Sequence, residues 1–231
     1  AKLDLVCRKL GLEPGMRLLD IGCGWGALLE YAADRYKVEV VGVTVSREQA
    51  ALARERCKGL PVEVRLQDYR DVRGETFDRV ASIGMFEHVG HKNHHTFMEV
   101  AHRSLAEGGL LLLHTIGRHR SSTALDPWIG KHIFPNSLIP SSEQIASAAD
   151  GLFVIEDWHN FGPDYDTTLL AWHRNFERAW LRLVAHYGEG FRRMWRYYLL
   201  TSAGGFRARH NQLWQIVLSP RGVVGGYESA R

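Results

Sequence analysis

At 231 residues, 45% of them hydrophobic, the chain is long enough to bury one sizeable α/β core, and that content excludes intrinsic disorder. Its 29 basic and 26 acidic residues leave a net charge of +3, too slight to point to nucleic acid. Three cysteines, Cys7, Cys23 and Cys57, form neither an even disulfide set nor a C-x-x-C metal pair, which suits a reducing cytoplasm; no apolar run approaches the roughly 18 residues that span a bilayer, so any membrane contact is peripheral.

The chain opens on AKLDLVCRKL, without a methionine and already in a helical pattern, so an upstream segment is expected. Leu3, Leu5, Val6 and Leu10 predict a helix ending at Gly11, and Pro14-Gly15 turns the chain into a first strand. That strand reads LLDIGCGWG from Leu18 to Gly26, and an amphipathic run follows over 27–36. Strand, tight turn and helix open a βαβ unit, in which glycines let the backbone approach a ligand and the helix N-terminus offers unpaired N–H groups. A nucleotide-like cofactor is expected there.

Gly22, Gly24 and Ala27 also satisfy the loose dinucleotide pattern, so the glycines alone leave NAD and S-adenosylmethionine (SAM) both open. Asp20 favours SAM, because a carboxylate at the strand's end repels a pyrophosphate but pairs with a cationic amino-acid group. The ribose-binding acid of a dinucleotide site is also missing, since VVGVT ends in Thr44.

Val38 to Val43 is nearly all β-branched, as in a strand buried on both faces of a parallel sheet. Ser46 and Gln49 form a capping-box pattern ahead of a helix that runs to about Cys57. Strands are predicted over 61–66, 77–83 and 109–116, with a helix over 93–106 between the last two. The rhythm breaks over 117–140, where Pro127, Pro135 and Pro140 punctuate an aromatic loop of the kind that forms a lid or binding surface. A short helix from Ser141, a strand over 152–157, two helices within 166–210 and a closing strand over 213–218 complete the chain. The alternation predicts a doubly wound, Rossmann-like α/β sheet in a single domain, 1–231, with a lid-like insertion at 117–140 and a helical substrate-covering region at 166–210.

GMFEHVGHKNHH follows the strand that ends near Ile83, and the carboxyl end of a strand in such a sheet borders the ligand crevice. Glu87 and His88 are therefore placed to face cofactor or substrate, and His114, at the end of the next strand, reaches the same edge as Glu87. A Glu and a His meeting there form a candidate acid/base pair, with Tyr165 as a third candidate just ahead of the long helix. His88, His91, His94 and His95 crowd together but show no metal-ligand spacing, so no metal is assigned. Arg192, Arg193 and Arg196, with Arg207 and Arg209, form the densest basic region, either a solvated helix face or a surface for anionic lipid.

Taken in order, LLDIGCGWG, VVGVTVSREQ, LQDYRD, GMFEHVGHKN, LLHTIG, DPWIGKHIFPN, DWHNFGPDYDTT and FRARHNQLWQ resemble the cyclopropane-fatty-acyl-phospholipid synthases over essentially the whole chain. The resemblance implies a seven-stranded SAM-methyltransferase fold and a reaction in which an acyl double bond takes the SAM methyl and the resulting cation loses a proton to close a cyclopropane ring. It implies SAM and bicarbonate as cofactors. Bicarbonate serves as base in this family, and Glu87, His114 and Tyr165, with the main chain of Ile116, match the residues that hold it. For SAM the matching positions are Asp20, Gly22, Cys23, Gly24, Trp25 and Gly26, then Thr44, Ser46 and Gln49, then Asp68 and Tyr69. The family's further cysteine lies in a segment before this domain, and Cys7, Cys23 and Cys57 do not match it.

The implied partners are unsaturated phospholipid acyl chains and the inner face of the cell membrane, where a cytoplasmic enzyme binds peripherally; nucleic acid is not expected and a homodimer is left open. Phe86, Trp128, Trp158, Tyr165 and Tyr198 are candidates to stabilise the cation. The competing functions are methyl transfer to an amine, formation of a methyl-branched chain, SAM or lipid binding without turnover, and NAD-dependent oxidoreduction.

Overall fold

The structure, a computed structural model, describes residues 1–231. The helices are α1 (Lys2–Lys9), α2 (Ala27–Tyr36), α3 (Arg47–Arg56), α4 (His94–Arg103), α5 (Pro127–His132), α6 (Ser142–Ala149), α7 (Gly162–Leu183) and α8 (Glu189–Arg207). The strands are β1 (Arg17–Ile21), β2 (Glu39–Thr44), β3 (Val62–Leu66), β4 (Phe77–Ile83), β5 (Leu105–Arg118), β6 (Val154–Asn160) and β7 (Asn211–Ser219). They form one sheet in the order β3-β2-β1-β4-β5-β7-β6. Only β7 is reversed, pairing antiparallel with β5 and β6. The winding changes direction between the parallel neighbours β1 and β4, and a sheet of this kind leaves a ligand crevice at the carboxyl ends of its strands at such a point.

Burial on both faces explains the composition of the central strands. Leu19, Ile21, Val41 and Val43 pack with Phe97, Met98 and Ile145 of α4 and α6, while the alternate residues Leu18 and Val40 pack with α1, α2 and α3 through Val6, Leu29 and Ala53. Each such aliphatic side chain contributes about 1.5–3 kcal/mol on leaving water. A smaller core joins α7 and α8 to β7 through Leu169, Leu199, Phe206 and Leu213. α1 is pinned to β6 by a buried polar knot: the fully buried Lys9 donates to Asp157 Oδ2 at 3.0 Å, and Arg231 grips the same carboxylate at 2.7 and 2.8 Å.

Several boundaries differ from the sequence expectation for identifiable reasons. α4 stops at Arg103 because Leu105 already pairs with Phe77, so β5 is longer than expected at both ends. α7 begins at Gly162, with Pro163 in its first turn, where a fixed φ suits the helix; Tyr165 is thus inside the helix rather than ahead of it. The capping box expected at Ser46 is half formed: Ser46 Oγ accepts from the Gln49 amide at 3.2 Å, but the Gln49 side chain turns to the Thr44 hydroxyl instead. The complete box is at Ser141 and Gln144, which start α6.

The 117–140 insertion leaves the sheet at Arg118 and returns at Ser141, two residues that bridge one another. Its helix α5 is capped by Asp126, whose Oδ1 accepts from the Ile129 amide at 2.8 Å. Leu138 donates its amide to the Glu87 carbonyl at 2.7 Å, tying the insertion to the turn after β4. The helical region 166–210 is an antiparallel pair, α7 and α8, standing over the end of β7.

Candidate active site

A crevice of about 570 Å³ opens at the carboxyl ends of β1, β2 and β4, walled by Gly22, Gly24, Thr44, Gln49, Asp68 and Tyr69 among others. Gly22 must be glycine: its φ is +83°, and a Cβ there would lie 2.5 Å from Met85 Cγ. Asp68 caps the turn at Tyr69 and is held by Arg70, whose hydrogen bonds keep its carboxyl below the usual range. Asp20, two residues before Gly22, is buried, and its Oδ1 has no hydrogen-bond partner. Burial pushes its carboxyl up to about 7.

The remaining motif residues are placed differently. Cys23 packs in the core, Gly26 ends the turn with its Cα side against Ala53, Ser46 caps α3, and Trp25 is half exposed with its carbonyl accepting from Arg56. Neither Asp20 nor any of these four walls the crevice; His88 does, as its place after β4 predicts, and so do Ile83, Gly84 and Met85, of which the glycine motif carries no sign.

The three acid/base candidates come from three separate elements. Glu87 sits in a short 3-10 turn after β4, where its Oε1 accepts from the Ile116 amide at 2.7 Å while its Oε2 is buried without a partner. Burial raises its carboxyl. The main chain of Ile116 therefore positions Glu87. His114, two residues earlier on β5 and so on the same face of the strand, is buried, with Nδ1 unpartnered. Burial, assisted by Lys2 and Lys9, pushes its imidazole down to about 3. Tyr165 makes no hydrogen bond through its hydroxyl; its ring packs edge-on against Phe206 at 4.9 Å, and burial pushes its phenol up to about 12.

Two cavities meet at Tyr165. One, of about 340 Å³, is lined by Glu87, Ile116, Tyr165, the insertion residues Ile129 and Phe134, and Tyr198 and Phe206 of α8. The other, of about 670 Å³, contains His114, Tyr165, Trp172 and residues of α1. The first also shares Gly84 and His88 with the 570 Å³ crevice. Burial favours the uncharged form of all three groups, raising the Glu87 carboxyl, holding the His114 imidazole neutral and keeping the Tyr165 phenol protonated.

Gln215 belongs to this set and went unnoticed in the sequence. It is the register partner of His114 on β7, lines the same cavity, is 1% exposed and has Oε1 unpartnered. The available signal was an amide inside the otherwise apolar run of the closing strand.

Other expectations are corrected. Phe86 is a core residue, stacked on His94 at 4.3 Å and edge-on to Phe97, and Trp158 packs on Trp214 at 5.1 Å; neither reaches the cavity. Trp128 packs on Tyr197, which leaves Tyr165 and Tyr198 from the expected group, joined by Phe134, Trp172 and Phe206. His88 lies against Phe134 and His95 reaches the Ala148 carbonyl, so the histidines of that segment serve different neighbours. No group of three or more His, Cys, Asp or Glu side chains is placed to hold a metal ion. In the basic region, Arg192 pairs with Glu177 and Arg207 with Asp166, whereas Arg193, Arg196 and Arg209 enter no ion pair.

The strand order, the single reversed strand and the glycine crevice at the β1/β4 switch define the class: this is the fold of the SAM-dependent methyltransferases. The family is narrower. The model for "Mycolic acid cyclopropane synthetase" matches residues 1–216, and the chain belongs to that family. It is 56% identical over 231 residues to the cyclopropane-fatty-acyl-phospholipid synthase of Escherichia coli K12, a match that covers 100% of this chain and 60% of that protein. The cyclopropane synthase MmaA2 from Mycobacterium tuberculosis superposes with a TM-score of 0.87 at 33% identity, covering 94% of this chain and 82% of that one. Mycolic acid cyclopropane synthase CmaA1, solved with SAH and CTAB, gives a TM-score of 0.85 at 32% identity, again over 94% and 82%. No helix of the structure is long and apolar enough to cross a membrane.

Proposed function

We propose that the chain transfers a methylene group, derived from the SAM methyl, to the double bond of an unsaturated phospholipid acyl chain and closes a cyclopropane ring. The observation that carries this reading is the junction at Gly84 and His88, where the glycine crevice meets an apolar, aromatic cavity containing Glu87 and Tyr165. A methyl donor in one space and a chain in the other share that boundary.

The unpartnered Asp20 oxygen and the cradle at Gly22, which any Cβ would fill, fit SAM, a donor that supplies an electrophilic methyl on a sulfonium. Asp20, buried two residues before Gly22 with its Oδ1 unpartnered, is assigned to its ammonium end; of the crevice wall, Gly22 and Gly24 are assigned to close backbone approach, and Thr44, Gln49, Asp68 and Tyr69 to its nucleoside. The π electrons of the acyl double bond form the new C–C bond, and the S–CH₃ pair stays on sulfur. Loss of a proton from the added methyl frees the C–H pair to close the ring against the cationic carbon. The walls of Ile129, Phe134, Tyr198 and Phe206 exclude water that would capture the cation, and Tyr165 presents an aromatic face to it.

The residues present also fit bicarbonate, which when bound supplies a base. Glu87 Oε2 and His114 Nδ1 are buried polar atoms in need of partners, and burial favours the protonated, donating forms of Glu87 and Tyr165. A protonated Glu87 donates to it rather than repelling it, and the Ile116 amide keeps the Glu87 carboxyl turned toward the cavity. Membrane contact in this reading falls to Arg193 and Arg196, the α8 cations without acidic partners, beside the exposed Tyr197 and Leu200. Three buried free cysteines suit a reducing, cytoplasmic setting.

Mass spectrometry of unsaturated phospholipid incubated with methyl-labelled SAM tests the reading. A product heavier by one labelled methylene, saturated at the former double bond and unbranched, is expected. A labelled methyl branch would move the assignment to a cation that loses its proton elsewhere, and a methylated amine headgroup would replace the reaction altogether.

A further inference from the structure

Arg118 ends β5 and Asn211 begins β7, and the two are register partners. Both line the 340 Å³ cavity, and both also line an outer pocket of about 240 Å³ at the surface, so the two spaces meet across this strand pair. The character of the lining changes at that boundary. The inner cavity is walled by Ile129, Phe134 and Phe206, whereas the outer pocket has no hydrophobic residue and gathers Arg118, His119, Arg120 and His210.

These cations are left without counter-charges. Arg207, one turn away at the end of α8, is neutralised by Asp166, but Arg118 and Arg120 enter no ion pair, and Arg209 gives its Nη2 to the neutral Gln212 Oε1. Two carboxylates beside the rim accept from neutral donors and form no ion pair with its cations: Glu143 accepts from Ser121 Oγ at 2.5 Å, and Asp126 accepts from the Ile129 amide as the cap of α5. The His119 and His210 rings stack at 6.3 Å, bringing the loop after β5 and the turn before β7 together over the pocket. Guanidinium groups gathered without an ion-pair partner form a site for an anion, and their planar donor fork matches the oxygens of a phosphate.

We propose that this rim binds the phosphate of a phospholipid headgroup whose acyl chain occupies the inner cavity, an inference that rests on the lipid reading above. The rim then acts as a ruler. With the phosphate fixed at Arg118 and Arg120, the distance along the chain to Glu87 and Tyr165 sets which double bond meets the methyl donor.

The test compares ligands with one acyl chain and different heads, titrated into the chain in the presence of SAH and below their micelle concentrations. The probes are 1-oleoyl-glycerol 3-phosphate, 1-oleoylglycerol, glycerol 3-phosphate and inorganic phosphate. The phosphate-bearing oleoyl probe should bind about tenfold or more tightly than its phosphate-free counterpart, as expected for charge-assisted hydrogen bonds. Arg118→Gln combined with Arg120→Gln should abolish that preference while SAM binding persists. If the double variant loses SAM binding, Arg120→Gln alone, at an exposed position, carries the same comparison with a smaller loss.

Equal affinity of the wild-type chain for the two oleoyl probes would overturn the proposal, as would failure to bind either. A phosphate preference that survives in the variants would place the anion elsewhere. Inorganic phosphate or glycerol 3-phosphate binding as tightly as the oleoyl phosphate would assign the rim to a free phosphate and overturn the headgroup assignment. Cyclopropane formation without a phosphate preference removes this inference alone, whereas a phosphate preference without labelled cyclopropane product removes the proposed reaction alone.

Discussion

The glycine crevice and the chamber formed by the two cavities that meet at Tyr165 lie on the same edge of one sheet, yet they are built in opposite ways. The crevice is largely local: Gly22 and Gly24 follow β1 directly, Thr44 and Gln49 flank a single turn, and Asp68 caps the turn beside Tyr69. The chamber is assembled at long range: Glu87 after β4 lines one of its cavities, His114 on β5 and Gln215 on β7 line the other, and Tyr165 on α7 is shared by both. A local motif can be constrained by backbone geometry alone. A distributed one is fixed only when the strands pair, and its members carry unpartnered polar atoms that the fold tolerates at a cost in stability.

The largest effect is expected from breaking the chamber while sparing the crevice. Glu87→Gln keeps the size of the side chain but alters its donor pattern; we expect ring formation to fall by about a hundredfold or more, within the range of positioned acid/base groups. SAM affinity, measured by calorimetry on the same variant, should stay within about twofold, since Glu87 lines the neighbouring aromatic cavity. Loss of SAM binding would show that the two regions are not separable.

Next in size is Asp20→Asn, which attacks the crevice. Removing one charged partner should weaken SAM binding by about 1.5–3 kcal/mol, roughly ten- to a hundredfold. The pH dependence sharpens the test. The free carboxyl, pushed up to about 7, is protonated below that pH, and a ligand ammonium requires it ionised. SAM affinity of the wild-type chain should therefore rise about tenfold per pH unit on approaching 7 from below and level off above it. Asp20→Asn should flatten the profile, and an unchanged slope would remove Asp20 from the ligand.

Gly22→Ala probes the backbone on which the crevice depends. A φ of +83° and a Cβ 2.5 Å from Met85 Cγ should cost about 1–3 kcal/mol of stability, read from the denaturant midpoint, together with loss of SAM binding. A variant as stable as wild type would show that Met85 can move aside freely.

The smallest effect has the opposite sign. Gln215→Leu removes a buried oxygen that lacks a partner, so the free protein should gain about 1 kcal/mol while ring formation falls. Stability and activity moving in opposite directions would mark Gln215 as a residue kept for the site. Loss of both would make it an ordinary structural residue.

The sequence by itself determined the seven strands, the alternation that orders them, the glycine turn and the carboxyl-end positions of Glu87 and His114, because each depends on residue periodicity or on chain geometry within a few positions. It also carried the family, through motifs spread along the whole chain. The tertiary structure decided the rest. Phe86 and Trp158 are aromatic and lie in motif segments, yet they face the core, because the packing of a turn on α4 and the register of β6 against β7 set their direction. The basic helix α8 reads as one patch, but Arg192 and Arg207 meet acids on α7 that only the antiparallel helix pairing brings within reach. Gln215 and Arg118 gain their neighbours from the β5–β7 ladder, which joins positions about a hundred residues apart. Such pairings are fixed by the burial of two strand faces at once, a physical constraint with no trace in the local sequence of either strand.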